Sequence, residues 1–231
     1  VEIDEPDVSP LQVQGPDSAK LMSKVFGNWV NDLGFYRFKQ VTHQGIPMVI
    51  ARMGYSRELC YELFLQDGSK GNELWELLWE AGQEFKISAG GPNIILRLEG
   101  GILSYLADID RSNNPYEVGL DWLVDLEQED DFIGKEALRL VSQNGPTKKL
   151  MGAEIHGDPI EDSNADHWPV FIDGKKVGSM NAMAYSPRLD KNICYTILDI
   201  EHAKSGQEIV IAAPEKDLMA TTVDLPWRER A

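Results

Sequence analysis

Residues 52–66, RMGYSRELCYELFLQ, read as the end of one strand, a turn and a second strand. Val49, Ile50 and Ala51 lead in, Gly54 interrupts the apolar run, Ser56-Arg57-Glu58 supplies turn chemistry, and Cys60 to Leu65 resumes in extended form. Side chains alternate across a strand, so Tyr61, Leu63 and Leu65 share one face while Cys60, Glu62 and Phe64 share the other. The first set has the composition of a core. The second sets a carboxylate beside an aromatic ring, where an apolar residue is the ordinary choice.

That pairing has a chemical use. A carboxylate carries two acceptor oxygens and can take two adjacent N–H donors from the edge of a flat heterocycle. Phe64, two residues on, is placed to cover the face of such a ring. A pterin presents an edge of this kind. Glu62 standing exposed on a half-solvated strand is the other reading of the same spacing, and the stretch by itself leaves both open.

Outward from this hairpin, Leu11-Gln12-Val13-Gln14 alternates and stops at Gly15-Pro16, which makes a short strand. Asp17 or Ser18 can cap a helix carrying Ala19, Leu21, Met22 and Val25, ended by Gly27-Asn28. Residues 35–41 read as strand, and Gln44-Gly45 as a hairpin turn into 47–51. Gly71-Asn72 opens an amphipathic helix with Leu74, Leu77, Leu78 and Ala81, stopped by Gly82. Trp75 and Trp79 widen its apolar flank and are expected in the core.

Pro92-Asn93 starts a helix expected to run to about Ala107. At about 100° per residue, Ile94, Ile95, Leu98 and Ile102 fall on one arc and Arg97, Gly101, Ser104 and Asp108 on the opposite one, with Tyr105 at the border. Gly100-Gly101 in mid-helix costs about 1 kcal/mol each relative to Ala, which points to close approach by a backbone or a ligand. Arg97, one turn earlier, either reaches over a shallow groove or makes a surface ion pair. Glu99 lands on the apolar side and needs a partner if buried. After a polar loop, residues 116–126 read as strand with acids at 117, 121 and 125, and a helix opens at 132–136.

Gln143 to Lys149, with Gly, Pro, Thr and two Lys after a helix, is the clearest boundary. Beyond it come candidate strands at 150–156, 170–172, 176–184, 193–200, 208–212 and 219–223, with Asp173-Gly174 as a hairpin signal. Short strands at even spacing predict a small antiparallel barrel or sandwich. The resulting division is a tail over 1–8, an α+β body over 9–142 and a β module over 147–231.

Composition bounds the function. A formal charge of −16 and a pI near 4.6 argue against nucleic acid or an anionic membrane as partner. Two cysteines do not make a disulfide framework, no apolar run is long enough to span a bilayer, and no signal peptide is read, so a cytoplasmic location is expected. His156, Asp158, Asp162, Asp166 and His167 lack ligand spacing, and no metal is expected. The 108–115 loop lacks the Gly and distal Glu of an EF-hand. Neither a G-x-S-x-G elbow nor a dinucleotide-binding glycine fingerprint is present.

Gly54-Tyr55-Ser56 with Glu58 to Phe64 resembles the G-Y-[ST]-x-E-x-G-[YF]-E pattern of the glycine-cleavage T-protein (aminomethyltransferase) family. Arg97-Leu98-Glu99-Gly100-Gly101, Pro115-Tyr116-Glu117-Val118-Gly119-Leu120 and Phe132-Ile133-Gly134-Lys135-Glu136-Ala137-Leu138 resemble later blocks of the family, in order. Gly91-Pro92-Asn93, Ser104-Tyr105, Asp108-Ile109-Asp110, Asn114-Pro115, 145–149 and Asp224-Leu225-Pro226 look most like its dimethylsulfoniopropionate demethylase branch. The likeness implies a central ferredoxin-like or mixed α+β body followed by a C-terminal antiparallel β-barrel.

It also implies a tetrahydrofolate-dependent transferase of methyl or aminomethyl groups, with Glu62 on the pterin edge and Arg97 and Tyr105 lining the folate pocket. The other ligand would be a small methylated or aminomethylated donor. Tyr55 falls where the demethylase branch carries a Trp that could face a sulfonium cation. Phe64 replaces a Tyr of that branch, and Cys60 replaces the family's small Gly. Roughly the family's N-terminal third is absent, so the chain reads as a fragment or processed product, and the family's catalytic Asp would lie in the absent part. Alternatives of the same descent are a folate-binding, non-catalytic relative, the folate module of a larger amine dehydrogenase, and an interaction protein whose site has decayed.

Overall fold

The computed structural model describes residues 8–164 and 166–227. Strands β1 (Ser9–Gln14), β2 (Phe38–His43), β3 (Ile46–Ala51) and β4 (Cys60–Leu65) form one antiparallel sheet of order β1-β4-β3-β2. The β2–β3 turn is tight because Gln44 and Gly45 both take positive φ, 50° and 81°, which matches the twist of a two-residue hairpin. Strand β2 starts at Phe38 and not at Phe35. Tyr36 has φ 58°, its N–H donates to Arg52 O, and Arg37 N–H closes a turn on Gly34 O, so 35–37 is a turn.

Helices α1 (Ser18–Phe26) and α2 (Gly71–Gly82) cover one face of this sheet. Met22, Val30, Ile46, Met48, Ile50, Tyr61, Leu63, Leu65, Leu74 and Leu78 form its buried core, as the alternation in β4 requires. Trp75 corrects an expectation: it is 44% exposed, and its ring stacks on Trp79 at 5.8 Å along the outer side of α2. Leu74 and Leu78 already fill the narrow stripe that meets the sheet. With α1 after β1 and α2 only after β4, the order β-α-β-β-β-α differs from the β-α-β-β-α-β of a ferredoxin-like unit, so the body is of the mixed α+β kind.

These elements belong to one compact unit, which runs to Pro92; a second begins at Asn93. The second unit holds α3 (Ile94–Glu99), α4 (Lys135–Asn144) and six strands, β5 (Lys148–Ile155), β6 (Trp168–Ile172), β7 (Lys175–Ser186), β8 (Lys191–Asp199), β9 (Glu208–Ala212) and β10 (Asp217–Val223). They close into an antiparallel barrel of order β10-β5-β8-β7-β6-β9, so the barrel and not the sandwich is the form adopted. Each of the six strands read beyond the 143–149 boundary is present, and Asp173-Gly174 turns between β6 and β7 with φ 48° and 77°. Met151, Val170, Met180, Cys194, Leu198 and Ile211 are among the side chains of the barrel core. Helix α3 packs on β7 and β8, where Leu98, Ala182, Ala184, Ile193 and Tyr195 make a further buried cluster.

Two sequence expectations fail in this unit. The helix from Pro92 stops at Glu99 instead of running to about Ala107. Gly101 takes φ 66°, Gly101 N–H bonds Leu98 O and Ile102 N–H bonds Arg97 O, the paired bonds that close a helix on a left-handed residue. The glycines therefore end the helix rather than thin its middle. Residues 116–126 form no strand, but turns and a short 3-10 segment at Asp121–Leu123. Among the described residues no helix is long and apolar enough to cross a membrane.

Candidate functional site

The ladder registers show what surrounds Glu62. On the sheet face opposite the helices, Gln12, Glu62, Ala51 and Phe38 form one row across β1, β4, β3 and β2; Pro10, Phe64, Val49 and Gln40 form the next. Glu62 and Phe64 are both half-buried on this face. The Glu62 carboxylate accepts no hydrogen bond from a described residue, and burial raises its pKa above the usual carboxylate range. A half-buried carboxylate without donors is a costly feature unless something supplies them. Beside it lie a ring and small or flat side chains, a surface suited to a planar, N–H-bearing ligand.

The loop over 52–59 frames one end of this face. Ser56, buried, donates to Gln14 Oε1 at 2.5 Å, and Gly15 N–H donates to Leu59 O at 3.0 Å, which ties the loop to β1. Tyr55 is on this loop and exposed. A Cβ on residue 54 would fall 2.5 Å from Cys60 Sγ, so only glycine fits beside that thiol. Gln12 Nε2 donates to Cys60 Sγ at 2.9 Å. Glu62, Phe64 and Tyr55 thus share one unit and two adjoining elements.

Arg97 and Tyr105 belong to the second unit. Arg97 is neither a groove-reaching nor a surface residue. Its guanidinium is buried in an ion pair with Asp108, donates to Ile102 O at 3.2 Å, and lies 5.8 Å from the centre of the Tyr195 ring. Asp108 Oδ2 also accepts Ser104 N–H at 2.6 Å, and Asn181 Nδ2 donates to Asp108 O. These bonds hold the loop 104–109, whose tip presents Tyr105, 57% exposed. Tyr195 Oη donates toward the carbonyls of Arg97, Leu98 and Ile102 at 3.1–3.3 Å, satisfying the end of α3.

Sequence reasoning missed Asp108 as the partner of Arg97. Helical periodicity set the two on one arc, but they meet because the chain folds back after Gly101. Glu99 is buried and has the partners that burial requires: it accepts from Ser186 Oγ at 2.6 Å, with Arg188 Nη1 3.6 Å away. His156 Nε2 meets Thr221 Oγ1 and His167 Nε2 meets Ala107 O; among the described residues no group of three His, Cys, Asp or Glu could hold a metal.

Comparison with known proteins places this architecture. Residues 1–128 match the GCVT N-terminal domain and residues 148–227 the glycine cleavage T-protein C-terminal barrel domain. The chain is 37% identical over 230 residues to the dimethylsulfoniopropionate demethylase of Ruegeria pomeroyi, covering 99% of this chain and 62% of that protein. It is 31% identical to an aminomethyltransferase of Bacillus mycoides, covering 97% and 61%. The solved structure of glycine cleavage system aminomethyltransferase T from Bartonella henselae shares the fold, with a TM-score of 0.82 at 23% identity, over 96% of this chain and 60% of that one. The chain spans about three fifths of the length of the curated relatives it matches. On the two domain matches, the chain belongs to the glycine cleavage T-protein family.

Proposed function

We propose that this chain is the folate-binding part of a tetrahydrofolate-dependent one-carbon transferase, acting on a small methylated or aminomethylated donor. The observation that carries the reading is Glu62: a half-buried carboxylate with no donor among the described residues, facing outward from a sheet beside Phe64. Two adjacent N–H groups of a pterin edge would satisfy both oxygens, and charge-assisted bonds of that kind are among the strong ones. Phe64 would cover part of the ring. In the second unit, Tyr105 is assigned to folate contact and Arg97 to holding the loop that presents it. Tyr55 is assigned to the donor.

Tetrahydrofolate, when bound, supplies the nucleophilic nitrogen N5 that accepts the one-carbon unit. The chain's own residues would fix the orientation of the acceptor, and Glu62 would be held ionised only by accepting the pterin N–H groups. A sulfonium donor leaves as a neutral sulfide and needs little proton management. An aminomethyl donor needs a general acid or base, and no residue is assigned that role. Relatives named as a demethylase and as aminomethyltransferases favour these donor classes.

The test is to incubate the protein with tetrahydrofolate and, separately, dimethylsulfoniopropionate, dimethylglycine and a glycine-derived aminomethyl donor, reading folate products by mass spectrometry. One-carbon folate from one of these supports the reading. Folate binding without product from any donor favours a non-catalytic relative, and absence of folate binding overturns the proposal.

A further inference from the structure

Helix α2 carries a repeat that the core does not use: Trp75-Glu76-Leu77-Leu78-Trp79-Glu80, two Trp–Glu pairs four residues apart. At about 100° per residue, the two indoles form one ridge of the helix and the two carboxylates the next. Leu74 and Leu78 are the side chains buried in the sheet core. Helix α1 lies on the other flank of α2, where Lys24 Nζ donates to Ala81 O at 3.0 Å. The indoles stack at 5.8 Å with 11° between their planes, and Trp75 stays 44% exposed. Glu76 and Glu80 are exposed, and neither makes an ion pair among the described residues. Glu73 and Glu84, by contrast, are held by Lys70 and Lys24.

This face costs the chain stability at three points. Two carboxylates at i and i+4 repel each other. Glu80 adds negative charge to the last turn, where the helix dipole is already negative and no basic side chain offsets it. The Trp75 indole keeps much of its apolar surface in water. A flat cation laid on the ridge relieves all three, since it is attracted to indole faces and to carboxylates alike.

We propose that the Trp75–Trp79 ridge of α2 is a docking surface for a polypeptide segment carrying two Arg side chains about one helical turn apart. A guanidinium fits better than an ammonium: it is planar, stacks on an indole, and keeps N–H donors at its edge for a carboxylate. Each Trp–Glu pair takes one guanidinium, with the indole on its face and the carboxylate on its edge. A single exposed pair of this kind holds weakly, so two linked sites select a polypeptide over free arginine. Charge selects against a second copy of the chain, because two chains of formal charge −16 repel, whereas a basic segment is complementary. Helix α2 covers the sheet face opposite Glu62, so this surface is separate from the proposed folate contact.

Titration of the chain with an Ala-based helical peptide of roughly 16 residues, bearing two Arg four positions apart, tests this, read on the indole N–H signals by NMR. The signals of Trp75 and Trp79 should shift saturably while those of the other tryptophans stay in place. The same peptide with Lys for Arg should bind at least about threefold more weakly, and free arginine at least about tenfold more weakly. Neutralising both carboxylates, Glu76→Gln with Glu80→Gln, should weaken binding about fivefold. Trp75→Leu should weaken it about threefold, with the circular dichroism spectrum unchanged. Equal affinity for the Lys peptide, for free arginine or in the doubly neutralised variant overturns the proposal. So does the absence of a saturable shift, a shift confined to other indoles, or a shift of Trp75 and Trp79 that grows with protein concentration when no peptide is present.

Discussion

Arg97 and Asp108 are bound to each other in the interior of the second unit, with both side chains buried. Asp108 Oδ2 also accepts Ser104 N–H, and Oδ1 is buried with no hydrogen-bond partner among the described residues. Removing one member of such a pair strands the other charge away from water, which costs about 3–5 kcal/mol. Asp108→Ala should therefore lower unfolding free energy by about that amount in urea denaturation. Replacing both, Arg97→Met with Asp108→Leu, should cost less than Asp108→Ala alone. A double variant less stable than the single one contradicts this account.

Gly101 ends α3 with φ 66°, and a Cβ there would meet Pro226 Cβ at 3.1 Å. Gly101→Ala combines a left-handed backbone, worth about 1–2 kcal/mol for an L side chain, with that contact. Loss of at least about 1 kcal/mol is expected by denaturant unfolding. A neutral substitution would mean that the turn relaxes at no cost.

Burial raises the Glu62 carboxyl above its usual range. The folded state then holds this proton more tightly than the unfolded chain does. Glu62 contributes no penalty below its unfolded pKa, becomes unfavourable as pH rises through the interval between the two values, and stays so above the folded one. Glu62→Gln should be more stable than the parent at neutral pH, and the difference should vanish in acid. Equal stability throughout would show a carboxylate already satisfied. Folate affinity should fall on acidification, because the neutral acid loses a charge-assisted acceptor.

Burial pushes the Cys60 thiol up to about 12, against the partly opposing hydrogen bond from Gln12, and burial raises Cys194 as well. Thiolate is the reactive form. Neither cysteine should react with a chromogenic disulfide reagent in the native protein at mildly alkaline pH, and both should react in denaturant. Rapid native labelling of Cys60 would show that the thiol is more open than its packing against Gly54 allows.

The elements most legible in the sequence were those whose signal is local. The alternation of 60–65 assigned Tyr61, Leu63 and Leu65 to the core, where they are buried, and the six barrel strands stood out between Gly, Pro and Asp-Gly turns. Glycine meaning was harder. Gly100-Gly101 fits a mid-helix contact and a helix end equally well by spacing, and only the bonds to Leu98 O and Arg97 O decide between them. Trp75 stays outside the core because Leu74 and Leu78 fill the stripe that the sheet covers, and hydrophobicity alone does not say how wide that stripe is. Residues 116–126 have every local mark of a strand, but a strand is a property of a pair, and one sequence shows only one member. The Arg97–Asp108 pair is a long-range outcome of the fold-back after α3, which periodicity cannot foresee.

The central claim is that Glu62 binds the pterin edge of a folate. Calorimetric titration of tetrahydrofolate into the protein and its Glu62→Ala variant tests it most directly. Loss of two charge-assisted hydrogen bonds should weaken binding by roughly 2–4 kcal/mol, with circular dichroism of the variant unchanged. A dissociation constant the same in both proteins would remove Glu62 from the site and contradict the account.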